Sequence, residues 1–286
     1  MYAARQGSLR AARTLAETGA DLNATDPDGA SALMFAVINS HYDLAAMLVN
    51  KGADPNLGDR AGMTPLYASV DMRNMPPPFG RPNPSALVVA ASLDAMRMLL
   101  AHRADPNARL KTPILKRGYT AGDRQLNEGA TALMRAAKSA DLQAMGLLLE
   151  HGAEATLTQK NGTTALVLAA GNRRGASAAG DDESVEGGST AGRAADGVAL
   201  LLEHGADVNA ANSTGDTPVH AAVWSPALIR LLAAHGAKLD VKNKQGRTPL
   251  QAALAARQSN PEAVALLRQL TGDTTTDSPK PSADKP

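Results

Sequence analysis

The sequence predicts an all-α fold in which a helix–turn–helix unit repeats about six or seven times along a solenoid. Phrases opened by glycine recur as GASALMFA, GMTPLYAS, GATALMRA, GTTALVLA, GDTPVHAA and GRTPLQAA. A Leu-rich stretch and a second phrase of the type Gly-Ala-Asp-x-Asn lie between successive copies. Where no insertion intervenes, as from Gly29 to Gly62, the period is 33 residues. A fixed period of this size indicates a stack of identical supersecondary units.

Each glycine phrase predicts the start of the first helix of a repeat. The hydroxyl of Thr64 or Thr248 can cap a helix, and the proline that follows suits the first turn because its missing N–H costs nothing there. Apolar residues then begin a buried stripe in every copy. These residues are Leu33, Leu66, Leu133, Leu166, Val219 and Leu250.

The Leu-rich stretch predicts the second helix, and short turn-rich segments predict fingers that connect the repeats. The helix ends where a glycine such as Gly52 can adopt the left-handed conformation. Arg103 occupies the equivalent position in one repeat, so that helix either keeps a left-handed non-glycine residue or ends differently. Residues 54–62 are typical of a finger of β-turns. One unit cannot bury its own apolar face, whereas several stacked units can.

The period and the two phrases resemble the ankyrin repeat, in particular bacterial ankyrin-repeat proteins whose array is interrupted by inserted loops. The resemblance implies an ankyrin-repeat domain over residues 1–270 with short β-turn fingers. It also implies a groove, lined by fingers and first helices, that binds a protein surface. Residues 271–286 are polar and Pro-rich, and we expect a disordered tail. The chain begins in mid-repeat, either as a degenerate cap or, as we favour, as a fragment, so its localisation stays unassigned.

Three insertions lengthen the period, at about residues 72–90, 109–127 and 172–194. The first carries Phe79 and Arg81 between stiffening prolines. The second carries Lys116, Arg117 and Tyr119, a mixture typical of interface anchors. We expect the third, rich in Gly, Ser and acidic residues, to be a flexible loop. For the first two, partner binding and packing over their own repeats both remain open. We expect the neighbouring repeats to stack directly if residues 110–127 are deleted.

The groove implied by the resemblance is lined by the residue that follows each Thr-Pro-Leu-His-like phrase. This row consists of Tyr2, Phe35, Ala68, Arg135, Leu168, Ala221 and Ala252. Phe35, Arg135 and Leu168 are large enough to anchor a partner, although packing against neighbouring helices is an equal alternative. We expect Trp224, at a shortened turn between two helices, to act as a wedge in the core.

The sequence shows no catalytic, metal or cofactor motif. Four of its six histidines occupy one register at the end of a second helix, where a cationic side chain suits the helix dipole. The resemblance implies a structural hydrogen bond for His220. With no cysteine, disulfides and thiolate sites are excluded. The acidic cluster at 181–186 lacks the spacing of a calcium loop. We therefore expect no enzymatic activity and no cofactor.

These observations favour a non-enzymatic protein–protein interaction module. A regulatory or targeting part of a larger enzyme is the alternative, and a small-molecule site between the insertions is a third possibility. The net charge of +1 does not indicate nucleic acid, and no apolar run reaches the ~18 residues of a membrane span. We expect a monomer that binds an unidentified protein. The residues expected to bind it are Phe35, Phe79, Arg81, Lys116, Arg117, Tyr119, Arg135 and Leu168.

Overall fold

A computed structural model describes residues 1–74, 86–114, 116–117, 120–121, 125–172, 190–257 and 259–273. Within these residues the chain forms fourteen helices and one pair of two-residue strands. The first six helices are α1 (Tyr2–Arg5), α2 (Leu9–Glu17), α3 (Ala32–Ile38), α4 (Tyr42–Asn50), α5 (Pro65–Asn74) and α6 (Ala86–Ala101). They are followed by β1 (Lys116–Arg117), β2 (Thr120–Ala121), α7 (Ala132–Lys138), α8 (Leu142–Glu150), α9 (Ala165–Ala170) and α10 (Thr190–Glu203). The last four are α11 (Pro218–Ala221), α12 (Pro226–Ala234), α13 (Pro249–Leu254) and α14 (Pro261–Thr271).

The helices form two layers, as the repeat predicts. The odd-numbered helices α1 to α13 contact one another in order, and so do the even-numbered helices α2 to α14. Each odd-numbered helix also packs against the even-numbered helix that follows it. A continuous apolar cluster of Leu, Ala, Val and Met runs between the layers from Ala4 to Leu267. The predicted all-α solenoid of helix–turn–helix repeats is therefore confirmed, with two short strands in one insertion as an addition.

The predicted helix caps are present. The Thr248 side chain accepts a hydrogen bond from the Gln251 N–H at 3.3 Å, and Thr64 accepts one from Tyr67 at 3.3 Å. In α11, His220 Nδ1 lies 2.9 Å from Thr217 Oγ1, and its Nε2 donates across the repeat boundary to the Arg247 carbonyl at 3.0 Å. His220 therefore stabilises its own helix start and the next finger together.

The helix ends explain most of the remaining histidines. The Nδ1 atom of each of the four lies 2.8–2.9 Å from the carbonyl oxygen four residues earlier, so it donates to the last turn of its helix. These residues are His102, His151, His204 and His235. Among the described residues no group of three His, Cys, Asp or Glu side chains could hold a metal ion. These four histidines therefore belong to the hydrogen-bond pattern of the repeat.

In the repeats of α4, α6 and α8, the second residue after the helix has a left-handed backbone conformation, and in the repeat of α6 this residue is Arg103 instead of glycine. Gly52 and Gly152 have φ of 98° and 86°, and Arg103 has φ of 67°. The α6 helix thus ends like its neighbours, with a side chain held in a conformation that glycine adopts more easily. Of the two alternatives for Arg103, the structure shows the first.

Two rows of hydrogen bonds join successive repeats. In one, a finger N–H donates to a carbonyl of the preceding finger, as Arg60 does to Asp28 at 2.9 Å. In the other, an Asn side chain at the end of each Gly-Ala-Asp-x-Asn phrase accepts from the backbone of the next repeat, as Asn23 does from Asp54 at 2.8 Å. Asn56, Asn107 and Asn209 repeat the second pattern. Thr156 stands in that register and makes no such bond among the described residues.

Trp224 ties three repeats together, as expected of a wedge. Its side chain is partly buried against the core, and its Nε1–H donates to the Ala170 carbonyl at 2.9 Å. The Trp224 carbonyl accepts from the Asn260 side chain at 3.0 Å. In the described part of the chain, none of the helices has the length and apolar character needed to cross a membrane.

Candidate functional site

The second insertion grows out of a finger that remains paired with both of its neighbours. The Lys111 N–H donates to the Ala61 carbonyl at 2.8 Å, which joins the insertion to the preceding finger. The Lys160 N–H donates to the Glu128 carbonyl at 2.8 Å, which joins it to the following one. The two sides of the insertion pair with each other where the Leu110 N–H donates to the Ala130 carbonyl at 2.9 Å. The insertion therefore extends out of the row of fingers, and the hydrogen bonds between neighbouring fingers are kept on both sides of it.

The root of this inserted finger has its own small core. Leu110 and Leu126 are buried, and Ile114 is partly buried against the main core. The Gln159 side chain, only 2% exposed, accepts from the Asn127 N–H at 2.7 Å and donates to the Gln125 carbonyl at 3.0 Å. A buried amide with both of its ends bonded to backbone fixes the position of residues 125–127, where the chain returns to the row of fingers.

This root argues against the expectation that the repeats would stack directly without residues 110–127. That deletion removes the buried Leu110 and Leu126, and it removes both backbone partners of Gln159. Buried polar groups that lose their partners are costly, so the deletion would damage the neighbouring repeat. None of these root contacts involves residues 115–124, so we expect that this segment can be exchanged.

Beyond the root, β1 and β2 pair antiparallel, with Arg117 opposite Thr120. The backbone of Lys116 and Arg117 lies in β1, whereas their side chains lie outside the described part of the structure. Tyr119, Phe79 and Arg81 also lie outside the described residues. The structure therefore gives the position of β1, which carries Lys116 and Arg117. The contacts of these two side chains lie outside the described part of the structure.

A cleft of about 340 Å³ lies at the foot of the inserted finger, between α9, α11 and three successive fingers. Its apolar side is formed by Val167, Leu168, Gly171 and Ala221, and its polar side by Gln125, Asn127, Asn161, Thr163 and Asn212. The predicted anchor Leu168 is thus part of this cleft, where 6% of its surface is exposed. None of the nine residues carries a formal charge.

Two asparagines of the cleft have a fixed amide orientation. The Oδ1 atom of Asn161 accepts from the Thr163 N–H at 3.1 Å. The Oδ1 atom of Asn212 accepts from the N–H groups of Thr214 at 2.9 Å and Asp216 at 3.0 Å. A backbone N–H can only donate, so the atom facing it must be the amide oxygen. Each NH₂ group is then on the other side and has no hydrogen-bond partner among the described residues.

Arg135 lies on the groove side but is engaged inside the protein. Its side chain is 6% exposed and forms an ion pair with Asp71, with Nε and Oδ1 2.7 Å apart. Another guanidinium nitrogen donates to the Asn74 carbonyl at 2.9 Å, and a third bonds the Ser139 hydroxyl. These contacts favour packing over partner binding for this residue. Because Asp71 and Asn74 end α5, Arg135 holds the point from which the first insertion departs.

A second buried ion pair supports the same point. The Nε atom of Arg73 lies 2.6 Å from Oδ2 of Asp141, which also accepts from the Asn74 side chain at 2.9 Å. Through its other oxygen, Asp141 caps α8 by accepting from the Ala144 N–H at 3.2 Å. The last turn of α5 is therefore tied to the following repeat by paired charges, and pairing is what makes buried charge tolerable.

Phe35 lies on α3, three repeats before the helix α9 that lines the cleft, and it is half-buried. The guanidinium carbon of Arg5 lies 5.3 Å from the centre of its ring, within the range of a cation–π contact. Of the predicted residues with described side chains, Phe35 and Leu168 thus lie at separate places along the first helices, and Arg135 lies between them as an internal contact. They do not form one compact cluster.

The sequence analysis missed Gln159, Asn161 and Asn212. Their signal was the finger register itself: Asn212 stands three residues before Gly215, where the corresponding residue before Gly29 is Asp26. An amide at a register that an acid fills elsewhere supplies donors that the acid lacks.

A family model described as "Ankyrin repeats (3 copies)" matches residues 1–76 and 189–277. E3 ubiquitin-protein ligase KEG of Arabidopsis thaliana is 27% identical over 250 residues, which are 76% of this chain and 13% of that protein. Putative ankyrin repeat protein YahD of Escherichia coli (strain K12) is 27% identical over 192 residues, 59% of this chain and 87% of the relative. The crystal structure of the human ASB11 ankyrin repeat domain aligns with a TM-score of 0.63 at 26% identity, covering 93% of this chain and 96% of that one.

Proposed function

This chain belongs to the ankyrin-repeat family, and on that premise we propose that it is a non-enzymatic module that binds a protein partner. Ankyrin repeats are generally protein–protein interaction modules. Stacked repeats present an extended concave surface without needing a catalytic centre. The polar residues that line the cleft at the foot of the inserted finger carry amides and a hydroxyl. The proposal includes a monomeric chain with no cofactor.

The single observation that carries this proposal is the inserted finger. Its root is held by two backbone pairings and by the buried Gln159, so the strand β1 is presented from a rigid base. Pre-organisation of this kind lowers the entropy lost on binding. We assign partner binding to Lys116, Arg117 and Tyr119 on this finger, and to Leu168 at its foot.

Phe35 extends the proposed surface along the groove, and the first insertion contributes Phe79 and Arg81. Arg135 serves this surface indirectly, because it holds the last turn of α5 from which the first insertion starts. Its ion pair with Asp71 is largely shielded from water, so truncation of Arg135 would remove the guanidinium group that this carboxylate faces.

The test replaces residues 115–124 by Asn-Gly, a dipeptide that closes a two-residue hairpin while leaving the root intact. Partners are captured by chemical crosslinking to the full chain, identified, purified, and measured for binding to wild type and variant. We expect unchanged circular dichroism and a dissociation constant raised tenfold or more, since a few central anchors carry most binding energy. Removal of residues 176–186, in the Gly-rich third insertion, is the matched control and should leave the affinity unchanged.

Equal affinity of the finger variant and wild type would show that the inserted finger does not bind. The complementary variant Phe35→Ala then tests the groove alone. If a purified partner binds all three variants as wild type does, the surface proposed here is the wrong one.

A regulatory or targeting part of a larger enzyme is the second candidate, favoured by the similarity to an E3 ubiquitin-protein ligase. The chain spans only 13% of that relative, so the ligase activity belongs to the relative as a whole. The discriminating experiment sequences the transcript that encodes this chain. A reading frame that continues into a catalytic domain supports this candidate, and one confined to repeats supports the stand-alone module.

A further inference from the structure

We infer that the cleft at the foot of the inserted finger is a peptide subsite that takes a neutral, extended main-chain segment of the partner. Its asparagine NH₂ groups donate to carbonyl oxygens of that segment, and its apolar side takes a small aliphatic side chain. The inference rests on the proposed function, because it names the part of a protein partner that this groove reads.

The first step is the direction of the hydrogen bonds. The oxygen of Asn212 accepts from two backbone N–H groups of its own finger and that of Asn161 accepts from one, so the NH₂ groups are the parts of these side chains that have no partner among the described residues. The two fingers are themselves joined, since the Ser213 N–H donates to the Asn161 carbonyl at 2.7 Å. Two donor groups therefore come from adjacent, mutually fixed fingers. A ligand that fits them must bring acceptors.

The second step is that the finger turn does not need these donors. Asp26 occupies the same register as Asn212, and its carboxylate accepts from the Asp28 N–H at 2.9 Å and the Ala30 N–H at 2.8 Å. Asn243 has the register too, but its NH₂ group donates to Asp216 at 2.8 Å. The NH₂ group of Asn212 takes no part in the turn of its own finger, and it donates to no neighbouring finger among the described residues. An acid would make the same turn there, so the amide adds only its capacity to donate.

The third step is charge. No lining residue is ionised at neutral pH, and the nearby Lys160 is paired with Glu128 at 2.7 Å. A carboxylate placed in the cleft would lose water and gain no cation, which is expensive. A peptide carbonyl is a strong neutral acceptor and loses much less. The chemistry of the cleft thus favours main chain over an acidic side chain.

The fourth step is size and shape. A volume of about 340 Å³ lies at the lower end of the roughly 300–1,000 Å³ typical of ligand sites, so the cleft admits a short segment. Val167, Leu168 and Ala221 give it an apolar side opposite the amides. Side chains of an extended strand alternate between two faces. One aliphatic side chain can therefore contact the apolar side while the neighbouring carbonyls meet the amides.

The experiment selects short random peptides, displayed on phage, against the full chain. Selected peptides are synthesised with acetylated and amidated ends, so that they carry no terminal charge. Their dissociation constants are measured by fluorescence polarisation with wild type, Asn161→Asp and Asn212→Asp. Each substitution keeps the oxygen that the turn uses and removes the NH₂ donor. The control Gln245→Glu makes the same amide-to-acid change on the last finger, away from the cleft.

We expect each Asn→Asp variant to bind about fivefold or more weakly, and Gln245→Glu to bind as wild type does. The loss should persist at high salt, which screens a pure charge effect. In nitrogen-15 spectra the side-chain amide signals of Asn161 and Asn212 should shift when peptide is added. A change confined to protein folding would not produce that shift.

Three results would overturn the inference: a selection that yields no binder, peptides that bind both Asn→Asp variants as wild type does, and peptides that require an acidic side chain. If any of these results is found while the inserted finger still captures a partner, the cleft is not a peptide subsite and the proposed function is unaffected. Failure of the purified partner to bind the full chain removes the proposed function itself.

Discussion

Replacing Thr156 by Asn should strengthen the junction between the helix pair α7/α8 and the pair α9/α10. At the preceding junction, Asn107 accepts from the Glu154 N–H at 2.8 Å and donates to the Gly152 carbonyl at 2.9 Å. By register, an Asn at 156 meets the Asp207 N–H and the Gly205 carbonyl. Thr156 is exposed, so the larger side chain needs no repacking of the core.

The size of the effect follows from the two added hydrogen bonds. An intramolecular hydrogen bond contributes about 0.5–1.5 kcal/mol net, and exposed bonds lie at the low end of that range. Two of them give about 1 kcal/mol for the junction. In a chain of this length, a gain of that size corresponds to a rise of roughly 2–4 °C in melting temperature.

The assay is urea unfolding followed by circular dichroism, together with hydrogen exchange of the α10 amides, which report this junction directly. The matched control is the reverse exchange Asn107→Thr, which should lower the free energy of unfolding by a similar ~1 kcal/mol. If Asn107→Thr destabilises the array while Thr156→Asn changes neither unfolding nor α10 exchange, the register argument for this junction is refuted.

Three other predictions concern single side chains. Gln159→Leu removes the oxygen that accepts from the Asn127 N–H and the NH₂ group that donates to the Gln125 carbonyl, and it should destabilise the root of the inserted finger by about 1–3 kcal/mol, seen as faster hydrogen exchange at residues 125–130; unchanged exchange there would contradict it. Arg103→Gly relieves a left-handed residue and should raise the free energy of unfolding by about 1 kcal/mol, and an equal or lower value would contradict it. Burial raises the pKa of Tyr42, so the folded state holds its proton more tightly than the unfolded state does, and stability should fall as the pH rises past about 10. Tyr42→Phe should remove that part of the alkaline loss, and identical pH profiles would argue against it.

Local sequence was sufficient for the repeat because every repeat solves the same local problem. Helix starts such as Thr248, left-handed ends such as Gly52, and apolar stripes depend on residues within one or two turns of each other. Those rules hold wherever the phrase occurs, so six imperfect copies reinforce one another. The three insertions were visible for the same reason, as departures from a regular period.

Contacts between distant residues followed no such period. The sequence analysis left Arg135 open between groove and core, and the structure shows it paired with Asp71, 64 residues earlier. Gln159 was not singled out from the sequence, yet its side-chain amide donates to the carbonyl of Gln125, 34 residues away. The orientation of the Asn161 and Asn212 amides depends on which N–H groups their fingers present, and that follows from the folded backbone.

The amino-acid sequence therefore determined the architecture of this protein, since the architecture results from short-range rules repeated along the chain. Only the tertiary structure decided which large groove residues face inward and where the inserted finger is rooted. It also decided which side-chain amides have an NH₂ group without a hydrogen-bond partner among the described residues. Those properties depend on pairs of residues that stacking brings together, and the spacing within a single repeat carries no record of them.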